Sequence, residues 1–342
     1  STPIKSSAAS DVYKRQTSSL CYNSNGDKMN LFKYSDDNKR YHTFNYYLKN
    51  KYQSKVAKVS LNAGFTCPNR DGTKGTGGCI FCSSTGSGDF AGNIQDSLEI
   101  QFSNVSLLLQ NKWPNCKYIA YFQANTNTYG PLKKIKACIE PFINKKNVVA
   151  ISIATRPDCL ETDVLNYLAE VNNRCDLWVE LGLQTIHDQT GELINRGHNY
   201  QDFLDGLNKL RKLKINVCVH IINGLPGETY EMMLETAKAV GQLDIQALKI
   251  HMLYVIEKTK LHQLYLQQPF KILSRDEYID LVVKQLSYIP ENIVIERLTG
   301  DGNISDLVAP LWSIRKVTIL NDIDKLMVAK DYYQGCKIKK PI

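Results

Sequence analysis

Six short runs rich in β-branched residues set the tightest limit on what this chain can fold into. They fall at 56–62, 118–123, 148–155, 177–184, 216–222 and 247–254, and after one long first gap their starts lie 30, 29, 39 and 31 residues apart. Parallel strands need a crossover long enough for a helix, and a step near 30 residues supplies one. The intervening segments carry the matching signals. Residues 161–171 place Val164, Leu165, Leu168 and Val171 at helical spacing, and 228–243 begins beside Pro226-Gly227 with a similar period. Six βα units in series predict a parallel barrel or partial barrel, with a doubly wound sheet as the competing arrangement. Beyond 255 the pattern changes: 275–287 and 313–333 read as helices and 292–298 as a further strand.

Composition removes several classes. With 43% hydrophobic and 9% aromatic residues in 342, the chain can bury a large core and is not a disordered segment. Its longest apolar runs, such as 148–154 and 217–222, fall far short of the roughly 20 residues a membrane-spanning helix needs. Ten cysteines are too dilute for a disulfide scaffold, and no secretory signal is evident, so reduced thiols in a cytoplasmic protein are expected. A net charge of +8 permits an anionic partner such as RNA without demanding one. Residues 6–16, SSAASDVYKRQ, read as a translated sequencing-library adapter; residues 1–28 are therefore expected to be a non-native or disordered leader, with Met29 the natural start.

In a parallel barrel the C-terminal strand ends build the site. Here they carry Cys67 onward, Gln123-Ala-Asn125, Thr155-Arg-Pro-Asp158, Gln184-Thr185, Gly224-Leu-Pro-Gly-Glu228 and His251. Alternation puts Glu180, Gly182 and Gln184 on one face, which points to a polar lumen. Glu180 then either faces a ligand or pairs with Lys249 for stability. Lys249 in turn is a partner of Glu180 or an anchor for an anionic group. His198 and His251 are candidates for substrate contact or acid–base work, against a purely structural role. Cys159 is a candidate catalytic thiol or a buried inert one, and Arg156 with Asp158 is a structural pair or a substrate contact.

The informative cluster is Cys67-Pro-Asn-Arg-Asp-Gly-Thr-Lys-Gly-Thr-Gly-Gly-Cys79-Ile-Phe-Cys82. The C-x2-C pair offers two thiolates from one tight turn, and the glycines let the backbone wrap closely around a negatively charged centre. Three neighbouring cysteines suit a [4Fe–4S] cluster with one iron open to a chelating cofactor. A structural zinc site wants four ligands; a histidine could supply the fourth, so zinc stays open on spacing alone.

Placed after the first strand of a βα series, this loop resembles that of radical S-adenosylmethionine (SAM) enzymes. Its long spacing is similar to the YtqA/YhcC-type branch, related to the Elongator catalytic subunit. The likeness runs from about residue 41 to 312 through ordered blocks: AGFTCPNRDG (63–72), AYFQA (120–124), TRPDC (155–159), ELGLQT (180–185), NRGH (195–198), GLPGE (224–228), KIH (249–251) and RLTG (297–300). The resemblance implies an α/β fold, a partial (β/α)6 TIM-like barrel over 56–256. It also implies an N-terminal segment at 29–55 and a C-terminal α/β extension at 257–342. It implies that Cys67, Cys79 and Cys82 hold a [4Fe–4S] cluster and that SAM is cleaved to a 5′-deoxyadenosyl radical. Phe81, Gln123, Glu180, Gln184, Arg196, Gly224 and Leu225 would then contact the cofactor. Gln123 stands where the wider superfamily has a glutamate for the methionine amine, and the usual third-strand carboxylate is replaced by Ala154-Thr155-Arg156. The implied partners are tRNA and a reductant protein such as flavodoxin or ferredoxin. The implied reaction is on the C5 side chain of the wobble uridine, from carboxymethylaminomethyl towards aminomethyl and methylaminomethyl. Chemistry on a small molecule or protein, and a zinc-stabilised RNA-binding protein, are the competing readings.

Overall fold

The computed structural model describes residues 21–22, 28–29, 32–37, 39–83, 86, 88, 91–300 and 304–338. The expected leader lies outside these residues, apart from the backbone of Cys21–Tyr22 and Lys28; Cys21–Tyr22 pairs antiparallel with Lys28–Met29. No helix among the described residues is long and apolar enough to cross a membrane.

The β-branched runs form strands close to their expected bounds: β1 (Val56–Leu61), β2 (Lys117–Phe122), β3 (Val148–Thr155), β4 (Asp176–Gln184), β5 (Asn216–Asn223) and β6 (Ala247–Met252). The run at 292–298 becomes β7 (Val294–Arg297), and it joins the same sheet, parallel to β6. The seven strands lie in sequence order, each parallel to the next. A doubly wound sheet reverses its order at a switch point; this one never does.

The sheet is curled. Seven strands laid flat at about 4.8 Å spacing would hold β1 and β7 about 29 Å apart. Instead Lys58 on β1 and Glu296 on β7 form an ion pair across the open seam. A short run before the first helix covers the free edge of β7: Thr43 bridges Ile295, and the Ile295 N–H donates to the His42 carbonyl at 2.7 Å.

Helices cover the outside. They include α1 (Phe44–Tyr52), α2 (Leu98–Lys112), α3 (Leu132–Ile143), α4 (Thr162–Asn172), α5 (Asp188–Leu193), α6 (Tyr200–Lys212) and α7 (Tyr230–Val240). In the extension, α8 (Lys260–Gln267), α9 (Arg275–Leu286) and α10 (Lys316–Ala329) follow. Local chemistry fixes several starts: Asn199 with Asp202 and Ser274 with Glu277 close capping boxes at α6 and α9. Outward strand residues such as Val59, Leu61, Ile151, Ile153, Val179 and Leu181 are buried in the large core shared with these helices.

Inward residues stack in layers two positions apart. The lowest layer takes one residue from each strand: Val56, Ile119, Ala150, Trp178, Cys218, Ala247 and Val294. Helix α1 shuts this end, with Phe44 and Tyr47 edge-on to Trp178 at ring-centroid distances of 5.8 and 5.9 Å. Two residues further along every strand stand Lys58, Tyr121, Ser152, Glu180, His220, Lys249 and Glu296. Glu180 is the hub. Lys58 and Ser152 (2.7 Å) donate to its Oε1; Tyr121 (2.8 Å), His220 (2.7 Å) and Lys249 donate to its Oε2. Lys58 and Lys249 also reach Glu296 Oε1, the latter at 2.9 Å. Burial works to raise the Glu180 carboxyl, but Lys249 and Lys58 hold it well below its ordinary value. Burial likewise opposes the charge on Lys249, and Glu180 and Glu296 keep it above the usual lysine range.

Removing one member of such a network strands the others without compensation. Glu180→Ala is expected to destabilise the fold by about 3–5 kcal/mol, read as a lower urea midpoint. A midpoint equal to the unaltered chain's would contradict this role for the layer.

Candidate functional site

The long gap between β1 and β2 holds the cysteine loop. Its turns are set by backbone bonds from Arg70 N–H to the Cys67 carbonyl (2.8 Å), Gly78 N–H to the Asn69 carbonyl (2.7 Å) and Cys82 N–H to the Cys79 carbonyl (3.0 Å). Gly77 and Gly78 take the left-handed conformation, φ 78° and 73°, that a β-carbon disfavours. The loop is tied to the segment after β4: Ile80 N–H donates to the Ile194 carbonyl (3.0 Å), and the Asn195 amide donates to the Gly78 carbonyl (2.7 Å). Asn69 is buried at the centre, with Nδ2 donating to the Asn195 carbonyl at 2.6 Å and lying 3.9 Å from Cys79 Sγ. A β-carbon on Gly75 would come within 2.3 Å of Asn69 Oδ1, so glycine there makes room for this clamp.

Cys67, Cys79 and Cys82 converge on the lip of one cavity of about 650 Å³. The hydrogen bond from Cys82 brings Cys79 down to about 7, with Arg156 and Arg196 adding to it against burial. Its partner Cys82 moves the other way, raised by that same bond and by burial. Among the described residues, no three His, Cys, Asp or Glu side chains sit closely enough to hold a single metal ion. Thiolates on a cluster bind three different irons, so they spread wider than the ligands of one ion. Three thiols facing one cavity supply the donor set that a [4Fe–4S] cluster takes when one of its irons is left open.

Below the lip the cavity runs down to the charged layer. Its next layer is Ser60, Gln123, Ala154, Gly182, Ile222 and His251, where small side chains leave the open volume. Gln184, at the end of β4, adopts φ 64°, and its Oε1 is buried with no hydrogen-bond partner. A β-carbon at Gly182 would meet Gln184 Nε2 at 2.6 Å. Phe81 and Gln123 also line the wall.

The two arginines are engaged with the protein itself. Arg196 is fully buried; it donates to the carbonyls of His198 (2.8 Å), Leu183 (2.8 Å) and Thr185 (2.6 Å) and to Asp188 (3.0 Å). Arg156 holds Asp158 with two bonds of 2.9 Å and donates to the carbonyls of Arg196 (2.7 Å) and Gly197 (2.9 Å). Against burial, the Arg156 and Lys74 partners hold the Asp158 carboxyl down at about 2. Together they brace the segment after β4 against the cysteine loop.

The expected site residues divide. The cavity gathers Cys67, Cys79, Cys82, Phe81, Gln123, Gln184, Arg196, His198 and His251, with Glu180 and Lys249 in its floor. Burial and the two arginines push His198 down to about 4. His251 is lowered by burial and by His220, and its Nε2 is buried without a partner. Three residues lie elsewhere. Cys159 lines a separate cavity with Thr128 and Tyr129, its thiol pushed up to about 12 by burial. Leu225 is buried in the small apolar cluster against which Phe81 packs, and Gly224 turns its N–H to Met233 Sδ at 3.0 Å; neither lines the main cavity. Conversely, Lys58, Tyr121, Ser152, His220, Glu296 and Asn69 were not anticipated as site residues. The two-residue alternation that exposed Glu180 would have found the first five once β7 was assigned to the sheet.

Comparison with known proteins agrees with this geometry. The model of the radical SAM superfamily matches residues 67–240, and that of the radical SAM C-terminal domain matches 245–329. YtqA of Bacillus subtilis, an uncharacterised protein, is 51% identical over 90% of this chain and 95% of its own. A tRNA uridine(34) acetyltransferase of Methanocaldococcus infernus is 29% identical over 46% of this chain and 29% of its own. In fold, the chain resembles the Elp3 of Methanocaldococcus infernus lacking its N-terminus, with a TM-score of 0.62 at 20% identity, covering 82% of this chain and 64% of that one. A superfamily match spanning over half of the chain, anchored on the cysteine loop and read on a seven-stranded parallel half-barrel, has one meaning: the chain belongs to the radical SAM superfamily.

Proposed function

We propose that this chain is a radical SAM enzyme that modifies the C5 side chain of the wobble uridine in tRNA. The observation that carries the enzyme reading is the convergence of three cysteines on the rim of a polar, closed-bottomed cavity. Cys67, Cys79 and Cys82 would hold three corners of a [4Fe–4S] cluster and leave the fourth to SAM. What such a centre supplies when bound is one-electron cleavage of the S–C5′ bond, and with it hydrogen-atom abstraction from substrate.

The chain's own residues prepare that centre. Asn69 offers an N–H towards Cys79 Sγ, and the Arg156 and Arg196 charges favour its thiolate. Gln184 Oε1, buried and unpartnered, would accept a donor from the ribose side of the cofactor. Gln123, just beyond the end of β2, would meet the methionine amine, and Phe81 would pack beside the adenosine. Arg196 acts through its charge and by fixing the loop, because its N–H groups are committed to carbonyls and Asp188. The apolar bottom layer and the packed walls keep bulk water from the reacting atoms.

The tRNA reading is supported by the relative named for uridine 34, which this chain matches over less than half its length; the net charge of +8, residues 1–28 included, is compatible with it. The reaction we favour removes the carboxymethyl part of a carboxymethylaminomethyl group, with the electron delivered by a reductant such as flavodoxin or ferredoxin.

Reconstituted under anaerobic conditions, the protein is expected to carry about four irons per chain and to convert SAM to 5′-deoxyadenosine. Cys82→Ala should reduce that conversion to background while keeping the native circular dichroism; undiminished cleavage would contradict the cluster assignment. In cells lacking the protein, mass spectrometry of tRNA nucleosides should show carboxymethylaminomethyluridine accumulating at the expense of the aminomethyl and methylaminomethyl forms. An unchanged nucleoside profile would turn the reading towards a small-molecule or protein substrate.

A further inference from the structure

The floor of the cavity has a charge property that its packing role does not require. Its layer holds two cations, Lys58 and Lys249, and two anions, Glu180 and Glu296, and it sums to zero with His220 neutral. Burial does lower His220, and Lys249 adds to that effect. The charged groups are withdrawn from water: the side chains of Glu180, Lys249, Glu296 and Lys58 are 0%, 5%, 7% and 19% exposed. Glu180 is saturated by its five donors, but Glu296 is not. Both lysines go to its Oε1, and its Oε2 is buried with no partner. One layer up, His251 Nε2 is also unpartnered, with its ring 5.4 Å from that of His220. Both Glu296 and His251 line the cavity that begins at the cysteines.

Two conditions follow for whatever group comes to rest here. It must donate a hydrogen bond, because a buried carboxylate oxygen without a donor is costly. It must also bring little net charge, because a single uncompensated ion next to a neutral, desolvated layer is strongly disfavoured. A bare ammonium meets the first condition only, and a bare carboxylate meets neither. A group carrying an ammonium and a carboxylate together meets both.

We propose that this floor selects the substrate's reacting group as a zwitterion, the amine donating to Glu296 Oε2 and the carboxylate turned to Lys58. Lys58 Nζ keeps a third N–H beyond its two carboxylate bonds, and its side chain is the more exposed of the two lysines. Arg297, at the adjoining position of β7, also lines the cavity wall; it lies outside the layer, and its charge bears on Lys249 and His251, so it adds to the cost of a bare ammonium. The inference rests on the reading above, in which a modified uridine side chain enters the cavity, and it assigns the selectivity of that entry to charge sum.

The test is calorimetric titration of the anaerobically reconstituted full chain with three nucleosides. They are 5-carboxymethylaminomethyluridine (zwitterion), 5-carboxymethyluridine (anion) and 5-methylaminomethyluridine (cation). The zwitterion should bind at least tenfold more tightly than either of the others. Glu296→Gln adds one positive charge to the layer, so 5-carboxymethyluridine should become the tightest of the three. Lys58→Met removes one, and 5-methylaminomethyluridine should gain instead. A merely structural role for these residues would weaken all three ligands alike, and that result overturns the proposal. So does equal binding of the three by the unaltered chain, or no binding of any by a preparation that cleaves SAM. Should either variant fail to fold, the order measured on the unaltered chain decides the matter. The uridine reading fails separately: an unchanged tRNA nucleoside profile in cells lacking the protein counts against that reading, whereas a changed profile with equal binding of the three nucleosides counts against the charge selection alone.

Discussion

Glu180 sits at the middle of the curled sheet with both carboxylate oxygens fully used, and the shape of the half-barrel depends on that arrangement. Taking a carboxylate out of water is unfavourable by several kcal/mol even after relaxation (order of magnitude). Here the loss is offset only because side chains from β1, β2, β3, β5 and β6 all reach the same two oxygens. They can do so only if the sheet is rolled. Lys58 then goes on to Glu296 on β7 and spans a seam that has no backbone hydrogen bonds between its edge strands. Hydrophobic burial on the outer face supplies the driving force, while the ionic layer specifies how far the sheet closes.

The same layer divides the lumen by chemistry. Beneath it the residues are apolar and packed against α1; above it they are small or polar and leave open space. The cysteine loop sits at the opposite end, held by Asn69, Asn195 and the two arginine clusters. The cavity therefore runs between two rigid, charged boundaries, one built from thiols and one from balanced ion pairs. That is a well-organised setting for a reaction that must exclude water, since Glu180, the hub of the charged floor, is already satisfied within the protein.

Much of this could be read from the sequence, for identifiable reasons. The βα rhythm is a local signal, and all six expected strands form within two residues of their expected starts and ends. The cysteine loop is likewise local, with its ligands and glycines contiguous. What escaped depends on distance along the chain. That Val294–Arg297 extends the sheet follows from pairing with β6, after two helices and a long connection. Without β7 the Lys58–Glu296 pair has no meaning. The arginine at 196 looked like a ligand clamp because its residue type suits a carboxylate; whether its N–H groups are free depends on the path of the backbone around it. Cys159 shares a short motif with Arg156, yet its side chain faces the other cavity, behind Thr128. Motif membership fixes neighbourhood and leaves direction undetermined.

The aromatic plug formed by Phe44, Tyr47 and Trp178 has a consequence for traffic. It shuts the lower end of the lumen, so a molecule bound near the base cannot leave past it and must depart on the side from which it came. A second molecule seated at the mouth then acts as a stopper. Occupancy would then be ordered in time, with the deeper guest the first to arrive and the last to depart.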